Sequence, residues 1–248
     1  MLLKLIKHEF ISSYRKYIPI YAVVLGVSLL TPLTYRIDHF SLIGIVSSAL
    51  ALIIGAMGIF TIYNLILSLG QRVYGNPGYL LFSLPVKTTD IIISKTIVNV
   101  IWVICTGLVA LVAFSVFLSL ITGASLFSVF DQTIGALFSN HPLLGIIYIA
   151  FGFVYIIYTI GFLMFIFALL NLIYKGEHKI VTGIILYFVL SNIIGLISIG
   201  VIGSFFGLTD ILFINSQDIL WMIGLYIIIT AGLFYATYYM MDKKLDLQ

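Results

Sequence analysis

Residues 143–174 read LLGIIYIAFGFVYIIYTIGFLMFIFALLNLIY, without one charged side chain. A helix of about 20 mostly apolar residues crosses the hydrocarbon of a bilayer. This stretch is long for one crossing and too short for two with a turn between, so it reads as one span that tilts or projects at an end. Worked outward from it, the chain offers six uncharged stretches, at about 17–35, 40–69, 97–121, 143–174, 180–207 and 219–241. Composition points the same way. Of 248 residues, 62% are hydrophobic and 8% charged, against about 25% charged in a soluble domain. So few charges cannot cover a surface in water. Disordered chains are polar and poor in aromatics, whereas 15% of this chain is aromatic. The single cysteine, Cys105, excludes a disulfide scaffold. A net charge of +3 is too small to suggest nucleic acid as a partner. The fold class expected is all-α: one polytopic transmembrane domain, residues 1–248, with six transmembrane helices.

Lys and Arg near the span ends set the orientation. With the N-terminus cytoplasmic, the inner segments hold Lys4, Lys7, Arg15, Lys16, Arg72, Lys87, Lys95, Lys175, Lys179, Lys243 and Lys244, which is all of the basic residues but Arg36. The outer loops collect Asp38, Asp131, Asp210 and Asp218. Six crossings also return the C-terminus to the cytoplasm. No small-x-small cleavage pattern follows the first span, so it reads as retained. Tyr14, Tyr17, Tyr174, Tyr235, Tyr238 and Tyr239 gather at the inner boundary, as an interfacial belt does.

Outside the bilayer, residues 1–16 read as an amphipathic interfacial helix. Leu2, Leu3, Ile6, Phe10 and Ser13/Tyr14 recur at helical spacing, with Lys4, Lys7, His8 and Arg15 on another face that Ile11 interrupts. Its apolar side is expected in lipid, along the inner leaflet. Residues 70–89, GQRVYGNPGYLLFSLPVKTT, form the inner loop between spans two and three. Asn76, Pro77 and Gly78 mark a turn, and Pro85 stops the short apolar stretch after it. Those apolar residues need lipid, the chain's own helices or another protein to cover them. Residues 122–142 suggest a helix on the outer surface, with Phe127, Phe130, Ile134 and Leu137/Phe138 on one side and Ser128, Asp131 and Gln132 on the other.

Several chemistries have no residues to carry them. There is no G-x-x-x-x-G-K-[ST] phosphate loop, no H-E-x-x-H and no G-x-S-x-G elbow. The four histidines and the cysteine are too scattered for metal ligation. No catalytic residue and no metal site is assigned. No Asp, Glu, Lys, Arg or His lies deep in a span, which disfavours a carrier coupled to a gradient. The polar residues that do lie there include Asn64, Asn99, Asn171 and Asn192, read as interhelical hydrogen-bond partners. Ser47, Ala51 and Gly55 on span two, and Gly203 with Gly207 on span five, offer small-residue packing faces.

Three segments together resemble the permease subunit of an ABC-2 type exporter, of the kind common in Gram-positive bacteria. They are the start MLLKLIKHEFISSYRKYIPIY, the loop GNPGYLLFSLPVKTTDIIISKTIVNVIW and the end FYATYYMMDKKLDLQ. Only the loop is a distinctive motif, similar to the family's Gly-Tyr-Leu…Phe-x-Leu-Pro-Val segment. Asn76 and Pro77 stand where relatives often carry acidic residues. The resemblance implies a multi-pass plasma-membrane protein with no cofactor of its own, ATP and Mg being bound by two copies of a soluble ATPase partner. It implies a second permease copy or homologue and surrounding membrane lipids as further partners. The loop is then a coupling helix, with Tyr79, Leu80, Phe82, Leu84 and Pro85 seated on the ATPase and Lys4, Lys7 and Arg15 bracing the same contact. The cargo implied is amphipathic or hydrophobic, a peptide toxin, an antimicrobial or a lipid. Its path would be lined by residues such as Phe151, Phe153, Tyr155, Tyr158 and Phe162, whose ordinary reading, and the one preferred, is core packing or a lipid-facing surface. The alternatives are a membrane scaffold or sensor that moves nothing, and an intramembrane lipid enzyme, for which no acid–base or metal cluster is visible.

Overall fold

A computed structural model describes residues 2–35, 40–71, 73, 87–138, 142–173, 179–206 and 216–243. Among the described residues the chain is helical and has no strand. The α-helices are α1 (Leu2–Tyr35), α2 (Phe40–Ile66), α3 (Thr88–Thr122), α4 (Leu126–Phe138), α5 (Pro142–Ile173), α6 (Lys179–Phe206) and α7 (Ser216–Lys243), and a π-helical turn, Leu67–Gln71, extends α2. In hydrocarbon no water is at hand to satisfy a backbone N–H or C=O, so a spanning segment must bond within itself. Among the described residues four stretches are long and apolar enough to cross a membrane: Ser47–Gly70, Thr88–Ser119, Pro142–Ile173 and Ile219–Asp242. The chain is a membrane protein. Pro142 opens α5, where its missing N–H costs nothing. Gly123 ends α3 at φ 68°, a left-handed conformation that only glycine adopts freely. Ser125 then caps α4, its Oγ accepting from the Ser128 N–H at 3.2 Å.

The chain divides into two compact units, one of residues 3–65 and 97–142, the other of 1–2, 66–96 and 143–248. In the first, α1 packs on α3 around Tyr17, Val98 and Trp102, with Ile6, Tyr14, Tyr21 and Phe60 against them. The Trp102 indole lies between two rings of α1, Phe10 at 5.0 Å and 17° and Tyr17 at 4.5 Å and 6°. Phe10 and Tyr17 are two helical turns apart, a rise of about 10.5 Å, which is the space one sandwiched ring needs. Further along, Val24, Met57 and Ala113 join α1, α2 and α3.

A hydroxyl network binds the same three helices. Thr106 Oγ donates to the Trp102 carbonyl at 2.8 Å and stands 2.8 Å from the Tyr21 hydroxyl and 3.1 Å from Thr61 Oγ. Tyr21 also reaches the Trp102 carbonyl at 3.2 Å, and Thr61 donates to the Met57 carbonyl at 2.9 Å. Each hydroxyl has one proton and two lone pairs. With the Thr106 proton on the backbone, Thr106 can accept from Tyr21 and from Thr61, and the single Thr61 proton serves either Thr106 or the Met57 carbonyl.

In the second unit, Tyr158, Phe162, Ile166 and Leu170 of α5 form a buried stripe with Leu233 of α7, against which Leu186, Leu190 and Ile194 of α6 pack. Spacing by fours on two helices is ridge-into-groove contact. Glycines let side chains close in: Leu170 lies against Gly183 and Phe234 against Gly161. These are not the small residues that the sequence suggests for packing. Ala51 and Gly55 are exposed, with open space where a Cβ on Gly55 would stand. Gly203 is described only as part of α6, and Gly207 lies outside the described residues. On α4, Val129 is buried while Phe127 is 88% exposed and Phe130 41%.

Thr106→Val removes the hub of the hydroxyl network while keeping the side chain's shape. It should lower stability by about 0.6–1.7 kcal/mol, the range for a hydrogen bond between membrane helices, measured by denaturant titration in mixed micelles.

Candidate functional site

The residues singled out for partner binding fall in two places. Tyr79, Leu80, Phe82, Leu84 and Pro85 lie outside the described residues. Lys4, Lys7 and Arg15 lie on α1, all exposed, and their spacing repeats along one helical face. Ile11, 46% exposed, interrupts that face. The Tyr14 hydroxyl accepts from Arg15 Nε at 3.5 Å, a bond that raises the guanidinium pKa above its usual value. On the opposite face of α1, Leu3 is 80% exposed, while the residues from Ile6 onward meet protein. Ile6 and Tyr14 pack on the α3 cluster, Phe10 stacks on Trp102 and Ser13 is buried. Residues 2–16 continue into the rest of α1 as one helix, and their inward face is the same stripe that carries Tyr17, Tyr21 and Val24 deeper in the fold. From Ile6 to Val24 that stripe packs within the α1–α3 clusters, so the cations project from a helix held in register by aromatic packing.

The two ends of the 74–86 loop are also defined. On entry, Leu69 and Val73 are buried; on exit, Ile91, Ile92 and Lys95 are. Together with Met164 of α5 and Thr237 and Met241 of α7 they line a cavity of about 10 Å³, room for roughly one water. Thr88 Oγ donates to Asp242 Oδ1 at 3.4 Å, fixing the start of α3 to the end of α7. The π turn supports this seat. Gly70 lies so close to Phe167 of α5 that an added Cβ would stand 2.8 Å from the ring. A π turn inserts one extra residue into the helix and shifts the register of the residues beyond it, and such turns often occur at functional positions.

Lys95 is the residue that charge counting underrates. The sequence places it on the inner flank of span three. With α3 starting at Thr88, it sits inside the helix, 2% exposed and first among the large buried side chains. Burial of an ammonium is costly, so a lysine in that position marks a specific setting, not a solvated flank. The span asparagines differ from expectation too. Asn64, Asn171 and Asn192 each donate Nδ2 to the carbonyl four residues back in their own helix, at 3.0, 2.8 and 2.7 Å. Bonds between helices include those of Tyr21, Thr61 and Thr106, and that of Thr88 with Asp242. Of the aromatics weighed for a pathway, Tyr158 and Phe162 are buried in the α5–α7 core, and Phe153 and Tyr155 are exposed. Tyr155, Tyr158 and Tyr226 sit 4.9–5.9 Å apart, edge to face or tilted, and leave no space between the rings. Among the described residues no three His, Cys, Asp or Glu side chains are placed to share a metal ion.

Gly70→Val should cost about 1–3 kcal/mol by overpacking the seat. Phe167→Leu in the same chain should recover part of that loss. Thermal unfolding of the two variants in detergent measures both.

Compared with protein-family models, curated proteins and solved structures, the chain matches none of them.

Proposed function

We propose that the chain is the membrane-spanning permease subunit of an ABC exporter in the plasma membrane. Six helices cross the bilayer, α1 from about residue 17 together with α2, α3, α5, α6 and α7, and both termini lie in the cytoplasm. The placement of nearly all Lys and Arg on one side supports that topology. The observation that carries the functional reading is the double rooting of the 74–86 loop. Its ends are seated on α5 and α7 through Leu69, Val73, Ile91, Ile92 and Lys95. A loop fixed at both ends passes a push into the helices beneath it, where a floppy connection would absorb the push. The likeness of GYLLFSLPV to the ABC-2 coupling segment indicates what pushes.

In this reading Tyr79, Leu80, Phe82, Leu84 and Pro85 seat in a groove of a soluble ATPase, and Lys4, Lys7 and Arg15 brace it from the exposed face of α1. Two ATPase copies bind ATP and Mg. ATP binds their closed arrangement more tightly, and that difference in affinity is what biases the permease. The chain contributes no catalysis. Its exposed apolar and aromatic surfaces suit an amphipathic or hydrophobic cargo, such as a peptide, an antimicrobial or a lipid.

The variant Phe82→Asp with Leu84→Asp puts two carboxylates into an apolar contact. It should abolish copurification with the soluble ATPase that the wild-type chain brings down, while leaving the melting profile of the membrane helices in place. Undiminished pull-down would refute the coupling assignment. ATP-dependent extrusion of a labelled amphipathic peptide from vesicles holding both subunits separates an exporter from a scaffold or sensor.

A further inference from the structure

Between α3 and α5, each long and apolar enough to cross a membrane, the chain carries a helix that is too short to do so. α4 has 13 residues, a length of about 20 Å against about 30 Å of hydrocarbon. Residues 123–125 join it to the end of α3 and span at most about 11 Å, so α4 starts at the membrane boundary. Its surface is divided in three. Val129 is buried. At about 100° per residue, Leu126, Phe130 and Phe127, all exposed, lie to one side of it, from about 60° to about 160° round the helix. Ser128, Asp131 and Gln132 occupy the matching sector on the other side, the last two exposed. The Phe spacing alone gives two faces, and the burial of Val129 separates a third.

We propose that α4 lies in the plane of the membrane, with Leu126, Phe127 and Phe130 inserted among the acyl chains of the leaflet where α3 ends. A helix at that level on the flank of a protein meets three surroundings: protein at its side, hydrocarbon beneath it and water above. The three sectors of α4 match them one for one. Phe127 is 88% exposed, and a bare patch of two Phe and a Leu at a bilayer surface gains by entering it. The occupant is acyl chain and not headgroup. Residues 122–142 hold no Lys or Arg, and Asp131 is their only charged side chain. An anionic headgroup finds no cation there, so insertion follows apolar area and is indifferent to lipid charge. In this α4 differs from α1, whose exposed face carries Lys4, Lys7 and Arg15. The inference rests on α3 and α5 crossing the bilayer and is independent of the exporter reading.

The test uses the full chain in phosphatidylcholine vesicles, with Cys105→Ser removing the native thiol. Cysteines replace Leu126, Phe127, Phe130, Asp131 and Gln132 one at a time and carry a nitroxide. All five positions are exposed, so the label displaces no packing. Collisions with oxygen, which enters hydrocarbon, are compared with those of a nickel chelate, which stays in water. At 126, 127 and 130 oxygen should exceed the chelate several-fold, and at 131 and 132 the order should reverse. Adding phosphatidylglycerol should change neither pattern. Phe127→Ser with Phe130→Ser should move the label at 126 toward the aqueous pattern. Chelate access at 127 equal to that at 132 puts the face in water and overturns the proposal. Shielding of 127 from both reagents puts protein over the face and overturns it as well. A depth that shifts with phosphatidylglycerol overturns the exclusion of headgroup binding.

Discussion

Inside a bilayer an apolar side chain gains little by leaving lipid for protein, because the two surroundings are alike. Every contact that holds these helices together must therefore come from fit and from hydrogen bonds. The described core obeys that rule. Rings are stacked face to face on Trp102, glycines admit Phe234 and Leu170, and three hydroxyls share protons between α1, α2 and α3. None of these depends on expelling water. Backbone bonding sets the helices, and shape decides which of their faces meet.

The same rule gives the loop seat its character. Leu69, Val73, Ile91, Ile92, Met164 and Met241 fill it nearly to the limit. Close packing transmits displacement, since filled interiors are stiff. Lys95 inside that seat adds a group whose position is costly to change. A surface that receives force from a partner benefits from such stiffness directly beneath it. The aromatic stack on Trp102 has the corresponding effect on α1, keeping its cationic face oriented.

Much of the helical pattern is readable from residue order alone, because charge-free runs have few other fates. Each of the six apolar runs lies almost wholly in helix, and the outer segment is helical near the limits its Phe spacing suggests. What periodicity cannot supply is which face meets what. Ile6, Phe10 and Tyr14 carry the signature of a lipid-facing stripe, and only the presence of Trp102 across from them turns it into a protein contact. Small residues at intervals of four on α2 have the look of a packing face, yet the helix turns Ala51 and Gly55 outward. Charge counting weighs Lys95 for its sign and not its place, since a lysine just ahead of an apolar run gives no warning that its helix begins a turn or more earlier. The five loop residues proposed to bind a partner are legible as a motif and lie outside the described residues.

Among the described residues the buried indole N–H of Trp102 has no acceptor. An indole so placed, clasped between Phe10 and Tyr17, has an electronic environment unlike that of Trp221, the only other tryptophan, which is 66% exposed. The protein thus carries its own gauge. Light emitted from position 102 registers whether the first helix is still clasped to the third, and position 221 supplies an internal standard from an exposed site.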